Sequence, residues 1–247
     1  MRKLHTPSDA ATAVLQNPTL PAGDDERFVG YGVMGLPFRS GHYLALRYFP
    51  ATTFSPGYRS VWHRDPAGVW TFYATTPGQQ SCARYFSSAT PNAAVQCAID
   101  VAWTSPWSLL VGITGVLEWH VDIRATPSTR LMSRIGGLLP VGTWTNELLL
   151  GMLARAIGPV LRAGQVRLSG TAPNGQRFMI APTQVWAATG RAVLRGEDLG
   201  PVGPLERQAR LADFRPPQRG LFVIGSGHFE TFDAARHHAA ERTVSIG

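Results

Sequence analysis

Glu118-Trp119-His120-Val121-Asp122 is the segment of this chain whose residue types and spacing come nearest to chemistry. Read as a β-strand, it sets Glu118, His120, Asp122 and Arg124 on one face and Leu117, Trp119, Val121 and Ile123 on the other. A carboxylate two positions from a histidine can orient the ring and raise its pKa, which makes a general acid/base pair. That role requires the polar row to face an enclosed lumen. Facing water, the same row is the outer side of an ordinary half-buried strand. Around this catalytic trio of Glu118, His120 and Asp122, the candidate ligand-binding residues are His63, Arg47, Arg59, Trp62, Trp119 and His228.

A second constellation begins at His63-Arg64-Asp65, an H-x-D, with His120 downstream and Arg130 ten residues beyond it. This order resembles the 2-oxoglutarate-dependent oxygenases. The resemblance implies a jelly roll, Fe(II) held by His63, Asp65 and His120, and Arg130 gripping the carboxylate of 2-oxoglutarate. Asp65-Pro66 also reads as the start of a turn, which would point the aspartate into solvent.

Other chemistry is set aside by the sequence. Gly30-Tyr31-Gly32-Val33-Met34-Gly35 fits G-x-G-x-x-G, but Leu36-Pro37-Phe38 follows where a dinucleotide site needs a helix. Glycines in a strand that bends or packs closely on a neighbour explain it better. No G-x-S-x-G elbow supports a hydrolase. The 23 basic residues are 22 arginines and Lys3, so a catalytic lysine is implausible. The formal net charge is +7, but the arginines are scattered from Arg2 to Arg242, and nucleic acid is not the expected partner. Arginine does favour carboxylates and phosphates, through the paired donors of its planar fork.

Hydrophobic residues are 44% of the 247 and charged residues 16%, enough to bury a core. Cys82 and Cys97 lack metal spacing and read as reduced thiols, although one bridge is open to them. No apolar h-region follows the basic start, and the cytoplasm is the default expectation.

The elements that would position these residues are mostly strands. Residues 1–27 form an N-terminal extension with a short helix, Ser8 to Gln16, entered through Thr6-Pro7. From Phe28 the period is two, with Tyr43, Ala45 and Arg47 alternating with Leu44, Leu46 and Tyr48. Gly57–Arg64 and Val69–Thr75 flank Asp65-Pro66-Ala67-Gly68, a type I turn. Val95–Thr104, Ser108–Thr114 and Val116–Thr126 are three more strands. Gln165–Thr171 and Arg177–Trp186 flank Pro173-Asn174-Gly175, where Asn-Gly suits a two-residue turn. Leu221–Phe229 is the last strand. Between them, Ser128–Leu139 and Thr145–Leu161 read as helices, the second apolar almost all round and interrupted by Pro159. Residues 196–219 read as an ordered strap, and Phe232–Arg242 as a closing helix with His237 and His238 solvated.

Gly68-Val69-Trp70 matches the short G-x-W signature of the lipocalins, and the strand pattern is loosely similar to larger lipocalin-like proteins such as carotenoid hydratases. That resemblance implies a barrel around an apolar ligand. The expectation is therefore a mainly β fold: an antiparallel barrel of about nine strands, residues 28–247 as one domain, with a two-helix insertion at 128–162 and a C-terminal helix. Its function would be to bind an apolar or amphipathic small molecule in the barrel and to support cofactor-free hydration, isomerisation or cyclisation of it. The alternatives are the iron oxygenase and a non-catalytic module whose 145–162 helix meets a partner or a membrane surface.

Overall fold

The alternation in Tyr43-Leu44-Ala45-Leu46-Arg47 is the key to the architecture, because both of its faces are buried. The computed structural model describes residues 6–139, 144, 146–239 and 242–246. In chain order its elements are α1 (Pro7–Gln16), β1 (Glu26–Pro37), β2 (Tyr43–Thr52), β3 (Tyr58–Arg64), β4 (Trp70–Ala74), α2 (Ala83–Phe86), β5 (Ala94–Gln96), β6 (Asp100–Ser105), β7 (Ser108–Ile113), β8 (Leu117–Arg124), α3 (Pro127–Leu138), α4 (Glu147–Leu161), β9 (Ser169–Thr171), β10 (Arg177–Leu194), β11 (Glu197–Asp198), β12 (Leu221–Phe229) and β13 (Thr243–Ser245).

The strands form one sheet in the order β13-β5-β4-β3-β2-β1-β12-β10-β8-β7-β6, with β9 and β11 also paired to β10. The order is open, ending at β13 and β6, so the sheet is a strongly curled half-barrel and not the antiparallel barrel, closed or nearly closed, that was expected. It has thirteen strands among the described residues, not nine. It is mixed, because β5 runs parallel to both β4 and β13.

The curl follows from side-chain clustering. Leu44 and Leu46 of β2, Val61 of β3 and Tyr73 of β4 share one cluster with Val111 of β7, Trp119 and Val121 of β8 and Phe222 of β12. These strands come from both ends of the order, so the sheet must bend until they meet. This inner face is filled by side chains, including Ala10 and Ala11 of α1. Where a lumen was expected there is packed core.

The opposite face carries two further clusters. Tyr43, Phe49, Tyr58, Trp62 and Phe229 pack under α2 and the strap, contributed by Leu205, Ala209 and Leu211. Val185, Leu221 and Val223 pack under α4. On α4 the buried positions are Leu150, Ala154, Ile157, Gly158 and Leu161, one helical stripe, while Leu148 and Met152 are exposed. Asn146 caps α4 by accepting from the Leu148 and Leu149 amides; Thr145, the predicted first residue, lies outside the described residues. Thr6 caps α1 in a capping box with Asp9, and Thr126 caps α3 in one with Thr129. Among the described residues no helix is long and apolar enough to cross a membrane.

Gly30 and Gly32 have a packing reason. A Cβ on either would stand 2.0 Å from a backbone carbonyl of β2, Tyr48 and Leu46 respectively. The Asp65–Gly68 turn forms as expected, its Asp65 carboxylate accepting the Val69 amide at 2.8 Å. The Asn174-Gly175 turn differs: Ala172 pairs with Gln176 and also accepts the Gly175 amide, which makes a three-residue loop with Gly175 at positive φ. Among the described residues of 232–242 the predicted C-terminal helix is absent. Residues 234–237 form a tight turn in which His237 is buried, accepting the Asp233 amide at 2.9 Å, and the chain then adds β13 to the sheet edge.

Candidate ligand-binding site

Arg47 is 4% exposed and projects from β2 onto the outer face of the sheet. Its Nη1 donates to the carbonyls of Val33 at 2.8 Å and Leu46 at 2.9 Å, and its Nη2 donates to Met34 at 3.3 Å. The β1–β2 register shifts between Tyr31 and Leu36, the stretch that holds Val33 and Met34. The guanidinium lies 4.7 Å from the ring centre of Trp62 on β3. No Asp or Glu among the described residues is bonded to it. Its nearest ionisable neighbours are Tyr43, Tyr58 and Cys82. Burial pushes Cys82 up to about 11 and both tyrosines well above their ordinary value, so all three are neutral at physiological pH. Burial also pulls the Arg47 pKa down, but an arginine starts so high that it stays charged.

Arg47 lines a cavity of about 60 Å³ whose other walls include Tyr58, Trp62, Cys82, Tyr85 and Phe229. The Tyr58 hydroxyl and the Cys82 thiol face each other at 3.1 Å. The Trp62 indole N–H is buried and has no acceptor among the described residues. A second cavity, of about 90 Å³, lies beneath α3 and α4 and is lined by Met132, Trp144, Leu153, Ile157 and Val185 among others. The two share one wall: Met34, Ile180, Pro182, Phe214 and Val223 line both.

A polar clamp holds α2 over the inner cavity. Glu26, at the start of β1, accepts from Arg84 at 2.6 and 3.0 Å, from the Tyr85 hydroxyl at 2.7 Å, from Gln176 at 3.2 Å and from the Phe232 amide at 3.3 Å. Gln176 also donates to the Glu230 carbonyl and its Oε1 accepts from Asn174 at 2.6 Å. Tyr85 then stacks on Phe229 with ring centres 3.6 Å apart.

Of the residues singled out from sequence, Arg47 and Trp62 reach the inner cavity. The others do not. Glu118 and Asp122 are exposed and His120 is partly so, while Leu117, Trp119, Val121 and Ile123 are buried. The polar row thus faces water, with Glu118 bonded to His120 at 2.9 Å and Asp122 to Ser108 at 2.7 Å, in a shallow groove against Arg191. Trp119 is part of the filled inner core. Arg59 lies over the Tyr48 ring at 5.7 Å. His228 sits 3.6 Å from Asp25. His63 stacks on His42, with Nε2 2.9 Å from its Nδ1, and burial lowers its pKa to about 4.

The iron constellation does not assemble. Among the described residues, no group of three or more His, Cys, Asp or Glu is placed to hold a metal ion, and Asp65 is committed to its turn. Cys82 and Cys97 are free and belong to clusters on opposite faces of the sheet. The cavity residues that sequence reasoning missed are Tyr58, Cys82, Tyr85 and Phe229. Tyr58 was within reach, since it shares the face of Trp62 at strand spacing. Cys82, just before α2, and Tyr85, on it, arrive on a segment that no local pattern ties to Arg47.

No family model matches the chain, and no curated protein matches it. A crystal structure of acetoacetate decarboxylase from Legionella pneumophila subsp. pneumophila str. Philadelphia 1 aligns over 94% of this chain and 96% of that one, at 10% identity and a TM-score of 0.40. A likeness at that level says nothing about the reaction or the ligand of this chain.

Proposed function

We propose that this protein binds a small, largely apolar molecule in the paired cavities between the outer face of its sheet and the cover formed by α2, α3, α4 and the strap. The observation that carries the reading is a pair of adjacent apolar cavities under a helical cover, with Met34, Ile180, Pro182, Phe214 and Val223 lining both. Together the cavities approach the size of an engineered apolar cavity that admits benzene, about 150 Å³. The side chains able to move a proton at the inner cavity, Tyr58 and Cys82, are both held protonated by burial. They supply hydrogen-bond donors and no base at neutral pH, so the reading is one of binding, and it needs no cofactor. Native mass spectrometry of the freshly purified chain tests it. The result expected is an added mass of roughly a hundred daltons, lost on denaturation, or uptake of an added probe of that size. A bare chain that takes up no apolar probe would refute it.

A second reading has its own observation. Leu131 and Leu138 on α3 and Leu148 and Met152 on α4 are exposed, on the helices that cover the outer cavity. An amphipathic pair of this kind can rest on a lipid surface. Co-sedimentation with phosphatidylcholine vesicles, with and without anionic lipid, tests it, and loss of binding in a Leu148→Ser, Met152→Ser variant is the expected result.

A further inference from the structure

We infer that the inner cavity is an anion subsite and that the molecule it takes is a small apolar carboxylate, its head on Arg47 and its tail running past Met34 toward the outer cavity. The inference rests on the cavity reading above and adds the head group to it.

The argument is one of uncompensated charge. A guanidinium removed from water costs several kcal/mol unless an anion or a full set of acceptors replaces the solvent. Arg47 has five N–H donors. Three are placed on the Val33, Leu46 and Met34 carbonyls, and the Trp62 ring adds a partial counter-charge. The Nε–H and one Nη2–H have no acceptor among the described residues. Nε and Nη2 share one edge of the planar fork, the edge that grips a carboxylate through two parallel bonds. A second unsatisfied donor points to the same occupant: the indole N–H of Trp62, buried on the wall of the same cavity without an acceptor among the described residues. Tyr58 and Cys82 are protonated there; one of the two donates to the other, which leaves the pair one proton to offer. The inner cavity therefore gathers hydrogen-bond donors around a cation and offers no counter-anion, which is the complement of a carboxylate.

The rest of the molecule is apolar by the same reasoning. Met34, Ile180, Pro182, Phe214 and Val223 line both cavities, and no charged side chain is among them. Arg215, at the outer cavity, also has a buried Nε without an acceptor among the described residues, but its side chain is partly exposed and water can screen it. The fully buried cation is Arg47, so the head belongs at the inner end. The size of the two cavities suits a chain of about six carbons or a single ring.

Calorimetric titration of the full chain with hexanoate and with 1-hexanol tests the inference. The two share a tail and differ in the head. The expected result is that hexanoate binds at least about tenfold more tightly than hexanol, the effect of a charge-assisted pair in a dry site. In Arg47→Met the advantage of the acid should vanish while hexanol still binds. Trp62→Phe keeps the ring and removes the N–H, so it should weaken hexanoate several-fold and leave hexanol unchanged, which covers the case in which Arg47→Met does not fold. Equal binding of acid and alcohol to the wild-type chain would overturn the head-group assignment and leave the cavity reading standing. Binding of neither would overturn both.

Discussion

Replacing Glu26 by Gln should cost this protein about 3 kcal/mol, and the structure says why. The carboxylate is mostly buried and takes hydrogen bonds from Arg84, Tyr85, Gln176 and the Phe232 amide, with the Tyr85 contact at 2.7 Å and the Gln176 contact at 3.2 Å. A hydrogen bond to a charged acceptor contributes about 1.5–3 kcal/mol, and a buried donor left facing an amide N–H loses its bond and keeps its desolvation cost. Arg84 is partly open to water, so its ion pair is screened and counts for less than its distance suggests. The Tyr85 and Gln176 bonds are fully enclosed and carry most of the effect. For a chain of this length the loss corresponds to a fall in Tm of roughly 6–12 °C. Urea unfolding of Glu26→Gln against wild type measures it. Because Glu26 anchors α2, which bears Tyr85 and Phe86 on the inner cavity, the variant should also bind the cavity ligand more weakly. A loss below about 1 kcal/mol would refute the clamp, since the donors would then have found other acceptors.

Further outcomes follow from other parts of the molecule. His63 is held at about 4 by burial and the neighbouring His42, against about 6.5 in the unfolded chain, so the unfolded chain takes up a proton first as pH falls. Its contribution is fully present above pH 6.5 and is lost progressively toward pH 4, about 2 kcal/mol of it between pH 7.5 and 5. Urea midpoints at those two pH values, with His63→Leu flattening the difference, check this; the same slope in the variant would show that other groups carry it. Leu150→Ala should destabilise by about 3 kcal/mol, because Leu150 is fully buried on the inward stripe of α4, and Leu148→Ala by less than about 0.5 kcal/mol, because Leu148 is 81% exposed. Thermal unfolding of the pair reads the orientation of α4. Glu118→Gln should change stability by less than about 0.5 kcal/mol and leave ligand uptake intact, since Glu118 faces water; a lost ligand would return the Glu118-His120-Asp122 row to the site.

Local chemistry was legible wherever it decided the outcome locally. The cap at Thr6, the Asp65–Gly68 turn and the strand Leu221–Phe229 stand where the residues put them. β10 was read only as far as Trp186, although it runs on to Leu194. The sheet absorbs Pro182 at a register shift against β12, and Gly190 is required where the backbone of β8 comes within 2.1 Å of a would-be Cβ. The alanine-rich stretch after Phe232 has helix propensity, but burial of His237 against the Asp233 amide ties it into a turn. Closure was not legible at all. Whether a curled sheet meets itself is set by pairings far apart in sequence, and here the parallel addition of β5 and β13 ends the order short of β6.

The candidate site shows the same division. Alternation put Arg47 on the face of Tyr43 and Ala45, and lysine scarcity left arginine as the available buried cation. Alternation also separated the polar and apolar faces of β8 correctly, but it assigns neither face to a cavity. That choice depends on what covers each face. The inner face is filled by its own side chains, and the cavities form where α2, α3, α4 and the strap bridge an outer face that they do not fill.

The most direct test of the central claim is a crystal structure of the wild-type chain soaked with hexanoate. The account predicts one continuous stretch of density past Met34, with the carboxylate at about 2.7–2.9 Å from the Arg47 guanidinium. Empty cavities, or hexanoate bound instead in the groove beside His120 and Asp122, would contradict it.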